Sequence, residues 1–216
     1  MNRLWIYGCS FSEPFSFYDD AVYYDEDDVR CFYNLEYWGS YLANKLNMEV
    51  INRALPGMGW NYIVNEIDND TLSWNKEDLI IISPSLFSRV TVMEFTNTDA
   101  RPEIVNFYKP FYDIVEFNKA RWLAKIKTLQ HFGYNVYTWV VDENANDAID
   151  LKNLILTPDN DINWKDWMDR HKEFWIDVDK NDWHFNKEGH IAVADAMYNF
   201  IKKQNNETQK VFTNSK

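Results

Sequence analysis

Short apolar runs and segments of helical periodicity alternate along most of the chain. Apolar runs bounded by turn residues predict buried strands, and apolar residues that recur every three or four positions predict amphipathic helices. The predicted strands are residues 3–8, 48–54, 78–84 and 135–141. The predicted helices are residues 37–47, 61–67, 112–131 and 187–203. This alternation predicts an α/β fold with a parallel sheet, because strands that run parallel need crossover connections, which are usually helical.

Three connections are too long to be simple turns, and they are residues 11–36, 85–111 and 142–181. In open α/β sheets, binding sites form beyond the carboxyl ends of the strands. The first two long segments, and the stretch that leads to His184, are expected at that edge. We therefore predict that they shape a pocket there.

The composition favours a folded, acidic protein. The 216 residues are enough for one core without disulfides, and we predict a single domain over residues 1–203 followed by a polar tail over residues 204–216. The net charge of -12 disfavours a nucleic-acid partner. The first apolar run ends at Gly8, too early for a signal peptide, and no run is long enough for a membrane helix. We expect a cytoplasmic protein, or a virion-associated one if the chain is encoded by a phage.

The first chemical candidate is the serine-containing turn that follows the first predicted strand. The sequence GCSFS, residues 8–12, places Ser10 at the sheet edge, and Gly8 is expected to let the backbone bend tightly. An ordinary turn or helix cap is the alternative interpretation. Cys9 is interpreted as a small buried neighbour, and with Cys31 it does not form a disulfide framework.

Two later segments carry the complementary chemistry. NRALPGMGWN, residues 52–61, is a glycine-rich turn before a helix, and such turns present backbone N–H groups to an oxyanion or a phosphate. A plain strand-to-helix turn is the alternative. NDWHFNKEGH, residues 181–190, contains His184 as a candidate general base and Asp182 as the group that orients it. A capping or surface role is the alternative for His184, and His190 is interpreted as structural.

Together, these segments resemble the SGNH (GDSL-type) hydrolase family, and the resemblance extends from about residue 3 to 203. It implies a flavodoxin-like three-layer sandwich with a five-stranded parallel sheet. It also implies a serine esterase that needs no cofactor or metal, with Ser10 as nucleophile and with Asp182 and His184 as acid and base. The N–H groups of Ser10 and Gly57 would form the oxyanion hole. A small acyl ester, such as acetate on a carbohydrate, is the expected substrate.

Two departures from the family pattern lie beside the expected catalytic residues. Cys9 stands where the family has an aspartate before the nucleophile. The usual Asp-x-x-His spacing would place Asn181 in the acid position, and we prefer Asp182 because a carboxylate stabilises an imidazolium and an amide does not.

The largest departure follows the third predicted strand, where the family carries G-x-N-D. In SPSLFSR, residues 83–89, Ser85 takes the glycine position and Phe87 the asparagine position, so the usual amide donor to the oxyanion is missing. The Ser85 hydroxyl and Arg89 are the candidate replacements or substrate ligands. The segment resembles a (Ser/Thr)-x-x-x-Arg variant of phage-associated members. A surface ion pair is the alternative for Arg89.

Other functions fit the sequence less well. A catalytically weak or inactive binding module, for example of a phage particle, is the main alternative because of Phe87. The turn after the first strand lacks the glycine-rich loop of a nucleotide binder, and His184 and His190 do not share a helical face for a metal. The acidic, aromatic insertion of residues 13–36 is interpreted as a solvated loop rather than a calcium site. Four tryptophans are assigned to the core or to the pocket, at positions 164, 167, 175 and 183.

Overall fold

A parallel sheet is the centre of the computed structural model, which describes residues 2–9, 11–12, 22–24, 30–32, 37–55, 58–84, 89–92, 103–106, 112–141, 151, 153–179 and 182–213. The strands are β1 (Arg3–Tyr7), β2 (Val22–Tyr24), β3 (Arg30–Phe32), β4 (Glu49–Asn52), β5 (Leu79–Ile82), β6 (Arg89–Val92), β7 (Glu103–Asn106), β8 (Asn135–Thr138), β9 (Trp175–Asp177) and β10 (Asp182–Phe185). The helices are α1 (Trp38–Leu46), α2 (Trp60–Asp70), α3 (Tyr112–His131), α4 (Trp164–Arg170) and α5 (Lys187–Thr213).

The sheet contains four parallel strands in the order β4-β1-β5-β8. Trp5 of β1 is paired with Ile51 of β4 on one side and with Ile80 of β5 on the other. The remaining strands form three antiparallel pairs, β2 with β3, β6 with β7 and β9 with β10. The prediction of an α/β fold with a parallel sheet is therefore confirmed.

The prediction of five parallel strands is wrong for the described part of the chain, which has four. Where a fifth strand would pair with β8, the Thr138 carbonyl accepts the Ile155 N–H at 2.7 Å, and the Val140 carbonyl accepts the Trp164 N–H at 3.0 Å. These contacts are isolated bridges. Pro158 has no N–H to continue a ladder, and Asn160 has a positive φ of 65°, so the chain turns away. The flavodoxin-like layering remains a prediction.

Strand β1 is buried on both of its faces. Successive side chains of a strand point to opposite sides, and Leu4 and Ile6 accordingly enter one apolar cluster while Trp5 and Tyr7 enter another. The first cluster includes residues of α1 and α5, and the second includes residues of α2 and α3. This two-sided burial explains why β1 is a continuous apolar run instead of an alternating one.

Most element bounds lie close to the predicted ones, and α5 is the main exception. This helix continues to Thr213, beyond the predicted end at residue 203. The division into one domain over residues 1–203 and a tail remains a prediction. Within the described residues, no helix combines the length and the apolar character needed to cross a bilayer.

Asp78, directly before β5, anchors the amino edge of the sheet. Its buried carboxylate accepts hydrogen bonds from the Arg3 guanidinium at 2.7 Å, from the Trp5 indole at 3.0 Å and from the Asn75 N–H at 3.0 Å. Burial acts to raise the pKa of Asp78, but the hydrogen bonds from Asn75, Arg3 and Trp5 outweigh it and bring the pKa below its ordinary value. The carboxylate form is therefore stabilised in the folded protein.

We expect Asp78→Asn to lower the free energy of unfolding at pH 7 by about 2–4 kcal/mol, because it removes a buried ionic partner of Arg3. A carboxylate with a lowered pKa contributes stability above its unfolded value of about 3.9, and this contribution is lost as the pH falls through the folded value. The difference between wild type and variant should therefore shrink at about pH 3, measured by urea unfolding. Asp195→Asn, in the exposed pair with Lys45, is the control with little expected change. An equal difference at both pH values would contradict this account.

Candidate active site

The turn after β1 brings Cys9, Phe11 and Ser12 to the carboxyl edge of the sheet. The Ser12 N–H donates to the Cys9 carbonyl at 2.8 Å and closes the turn. Cys9 is only 3% exposed, as its interpretation as a buried neighbour requires. Ser12 is completely buried. Ser10, the predicted nucleophile, lies outside the described residues.

Gly8 precedes this turn because there is no room for a side chain. A Cβ at this position would lie 2.5 Å from the Ser12 Oγ and 2.7 Å from the Ser12 Cβ, closer than atoms can pack. Its φ does not lie in the left-handed region, which among the described glycines is adopted by Gly133. The expectation that Gly8 serves backbone bending is therefore replaced by a packing requirement.

The turn lies where the strand order of the sheet reverses. If the four sheet strands are numbered along the chain, they lie side by side in the order second, first, third and fourth. The connection from β1 to β4 therefore runs to one side of the sheet, and the connection from β5 to β8 runs to the other. Ser83, the residue after β5, donates its N–H to the Tyr7 carbonyl at 2.8 Å and extends the pairing to this edge. Open α/β sheets bind ligands in the crevice at such a point.

His184, from the other end of the chain, meets the turn after β1. It lies in β10, and its ring stacks on the ring of Phe11 with a centroid separation of 5.0 Å and an interplanar angle of 23°. The next residue, Phe185, is buried and contacts Phe11 edge to face at 6.0 Å. The predicted base is thus held against the residue that follows the predicted nucleophile in the chain.

Asn186, two residues after His184, holds the backbone between β10 and α5 in place. Its Nδ2 donates to the carbonyls of Glu173 at 2.7 Å and Trp175 at 3.1 Å. Its Oδ1 accepts the Gly189 N–H at 2.9 Å, which caps the first turn of α5. A Cβ on Gly189 would lie 2.9 Å from the Phe174 carbonyl oxygen, so glycine lets α5 begin in close contact with this segment.

Trp38 connects the turn after β1 to helix α5. Its indole donates to the Phe11 carbonyl at 2.8 Å, and its backbone N–H donates to Nδ1 of His190 at 3.3 Å. Burial, followed by the effect of the nearby His184, lowers the pKa of His190 to about 3. His190 is therefore neutral at physiological pH, which fits its interpretation as a structural residue.

Of the other predicted site residues, two lie in described strands and the rest lie outside the described residues. Asp182 is in β10, paired with Asp177 of β9 and two residues before His184. Arg89 begins β6, where it is paired with Asn106, and β6 contacts α2. Gly57, Ser85 and Phe87, like Ser10, lie outside the described residues. The structure thus brings the Phe11 turn and His184 together, whereas the remaining roles stay predictions.

Three residues that shape this edge received no role from the sequence. Asn52 and Asn186 each accept a nearby backbone N–H, and Asn at the end of a strand or at a helix start is a local signal for such turns and caps. Phe11 has no comparable signal, because its partner is distant in sequence. Trp164, Trp167 and Trp175 are buried in the core. Among the described side chains, no group of three or more His, Cys, Asp or Glu is placed to hold a metal ion.

Comparison with known proteins supports the fold. No protein-family model and no curated protein matches the sequence. Among solved structures, the chain is similar to the psychrotrophic esterase EstA from Pseudoalteromonas sp., with 14% identity, a TM-score of 0.52 and coverage of 95% of this chain and 100% of that one. The lipase/acylhydrolase from Enterococcus faecalis matches with 13% identity, a TM-score of 0.50 and coverage of 94% and 97%.

A GDSL-like protein from Parabacteroides merdae matches with 14% identity, a TM-score of 0.53 and coverage of 92% of this chain and 94% of that one. At these identities, the similarity concerns the fold. The chain therefore shares an α/β fold with these three proteins over nearly its whole length.

Proposed function

We propose that the protein is a serine ester hydrolase of the SGNH type, with Ser10 as nucleophile and His184 as general base. The observation that carries the proposal is the stacking of His184 on Phe11 at 5.0 Å. Ser10 is bonded directly to Phe11, and adjacent Cα atoms are about 3.8 Å apart. Nucleophilic catalysis requires the base within hydrogen-bond reach of the serine hydroxyl. The contact of His184 with the residue next to Ser10 supports such a pairing.

In the proposed mechanism, His184 removes the proton of the Ser10 hydroxyl as the oxygen attacks the acyl carbonyl. The N–H groups of Ser10 and Gly57 stabilise the oxyanion, and Asp182 orients His184 and stabilises its cation. His184 then donates the proton to the leaving alcohol. His184 next removes a proton from water as the water oxygen attacks the acyl-enzyme, and it returns that proton to the Ser10 oxygen as the carboxylic acid leaves.

Burial supports Ser10 over its neighbours as the nucleophile. Cys9 is 3% exposed and Ser12 is 0% exposed, so neither side chain is accessible to a substrate in the folded state. A reactive thiol also needs an electropositive, partly exposed environment, which the buried position of Cys9 does not provide. Ser10 is the remaining hydroxyl of GCSFS.

The proposed activity is modest, because Phe87 replaces the usual amide donor. Loss of one oxyanion donor lowers the rate by roughly 100- to 1000-fold. We assign the Ser85 hydroxyl and Arg89 as partial replacements or substrate ligands, in line with the resemblance to phage-associated members. The substrate class that we propose is a small acyl ester, such as an O-acetyl group on a carbohydrate, acted on in the cytoplasm or on a virion.

A catalytically weak or inactive binding module is the second candidate, and Phe87 is the observation that favours it. An organophosphonate that modifies activated serines separates the two candidates. The related fold of EstA was solved in a form inhibited by monoethylphosphonate, which supports this choice of reagent. The esterase is expected to gain one adduct per chain by intact mass, on the peptide that contains Gly8 to Ser12.

Heat-unfolded protein is the matched control, because an unfolded serine is not activated. The absence of an adduct on the folded protein would contradict the esterase and favour the binding module. With an adduct in hand, turnover of acetyl, butyryl and octanoyl esters of one alcohol tests the substrate class. Faster turnover of the octanoyl ester would contradict the preference for a small acyl group.

A further inference from the structure

Asn52, the last residue of β4, connects three backbone segments at the candidate site. Its Nδ2 donates to the Ser12 carbonyl at 2.7 Å and to the Tyr37 hydroxyl at 3.2 Å. Its Oδ1 accepts the Ala54 N–H at 2.8 Å. One carboxamide therefore contacts the turn after β1, the start of α1 and the loop that follows β4.

The partners of Asn52 are shielded from water. Ser12 is 0% exposed, Ala54 3% and Tyr37 4%, whereas Asn52 itself is partly buried. A buried donor or acceptor that loses its hydrogen-bond partner destabilises the folded state by about 1–3 kcal/mol. Each of the three segments is therefore stabilised in contact with the Asn52 carboxamide. Burial raises the pKa of the Tyr37 hydroxyl, and the hydrogen bond from Asn52 opposes that rise.

The connected segments are the ones that carry the proposed chemistry. Ser12 closes the turn that contains Ser10, and Ala54 begins the loop that leads to Gly57. An attacking oxygen and an oxyanion donor must keep a fixed separation, and a misplacement of about 1 Å lowers a rate by about 100-fold. We propose that Asn52 is a positioning residue that sets the separation between the Ser10 turn and the Gly57 loop. This inference rests on the proposed function.

An amide is the group that this position requires. The two bonds from Nδ2 need a donor, and the bond from Ala54 needs an acceptor, and a carboxamide offers both in one plane. A carboxylate keeps the bond from Ala54 and accepts a hydrogen bond from the Tyr37 hydroxyl. It repels the Ser12 carbonyl, so Asn52→Asp selectively breaks the connection to the Ser10 turn.

We expect Asn52→Asp to lower the rate constant of phosphonate labelling and kcat by about 10- to 100-fold, with KM changed by less than about threefold. Asn52→Leu removes the three bonds without adding charge and should lower both rates at least as far. Tyr37→Phe removes one bond and should lower them by about fivefold or less. Labelling of Asn52→Leu at the wild-type rate would overturn the inference.

Asp78→Asn is the control for a general loss of stability, because Asp78 lies at the opposite, amino edge of the sheet. Each variant is labelled well below its unfolding temperature. The inference predicts a wild-type labelling rate for Asp78→Asn and a slow one for Asn52→Asp. Slowing of both variants in proportion to their lost stability would mean that Asn52 acts only through folding, and would overturn the inference.

Hydrogen exchange of the Ser12 amide separates a failure of the inference from a failure of the proposed function. This N–H closes the turn after β1 by donating to the Cys9 carbonyl, so it should exchange at least about tenfold faster in Asn52→Asp. If wild-type protein takes the adduct but neither labelling nor exchange changes in the variant, the inference fails and the function stands. If wild-type protein takes no adduct, the proposed function fails. In that case, equal exchange of the Ser12 amide in wild type and Asn52→Asp would also refute the proposal that Asn52 positions the turn.

Discussion

Ser10→Ala is expected to abolish the phosphonate adduct and to lower ester turnover by about four to six orders of magnitude. The alanine has no oxygen to attack the acyl carbonyl, so no acyl-enzyme forms. The oxyanion donors and the binding surface would remain, which leaves a small residual rate above that of water. Intact-mass analysis and turnover of an acetyl ester measure the two effects.

Ser12→Ala is the matched control, because it removes a hydroxyl from the same five-residue segment and keeps the Ser12 carbonyl. The Ser12 hydroxyl is buried and has no hydrogen-bond partner among the described residues, so labelling should proceed at close to the wild-type rate. Cys9→Ala tests the thiol in the same way. An adduct that persists in Ser10→Ala would place the nucleophile elsewhere in the chain.

His184→Ala is expected to lower kcat by about 100- to 10,000-fold, the usual contribution of a positioned general base. Phosphonate labelling should slow by a comparable factor, because the same base activates Ser10 in both reactions. Intact-mass analysis over time measures the labelling rate, and turnover of an acetyl ester measures kcat.

His190→Asn is the control for the second histidine. Its Oδ1 can accept the Trp38 N–H in place of Nδ1, and His190, with a pKa of about 3, is neutral in the range where the assay is run. Well below its unfolding temperature, the variant should therefore be labelled at close to the wild-type rate. Slow labelling of His190→Asn, with wild-type labelling of His184→Ala, would exchange the roles of the two histidines.

The fold was predictable where one property of the sequence determines an element. The apolar runs of β1 and β5 are buried on both faces, and the 20 residues of α3 match the predicted helix. The missing fifth strand was not predictable from apolar content, because Leu154 and Ile155 are apolar yet make only a bridge to Thr138. The chain turns after Thr157, and this turn ends the pairing with β8.

For the candidate site, the sequence predicted positions along the chain better than contacts. A histidine before the last helix is visible as a motif, and the structure brings it to the turn after β1. That the contact is made through Phe11, and that Asn52 joins the surrounding segments, depends on how β1, β4 and β10 meet in space. No local pattern of residues contains that information.

The two members of the proposed catalytic pair belong to parts of the protein with different resistance to local opening. The Ser10 turn follows β1, which has a hydrogen-bonded neighbour on both sides, whereas His184 lies in the two-stranded pair of β9 and β10. Segments with fewer neighbours open at lower free energy than central strands. Heating should therefore separate His184 from Ser10 before the sheet melts, so that inactivation precedes global unfolding and is reversed on cooling.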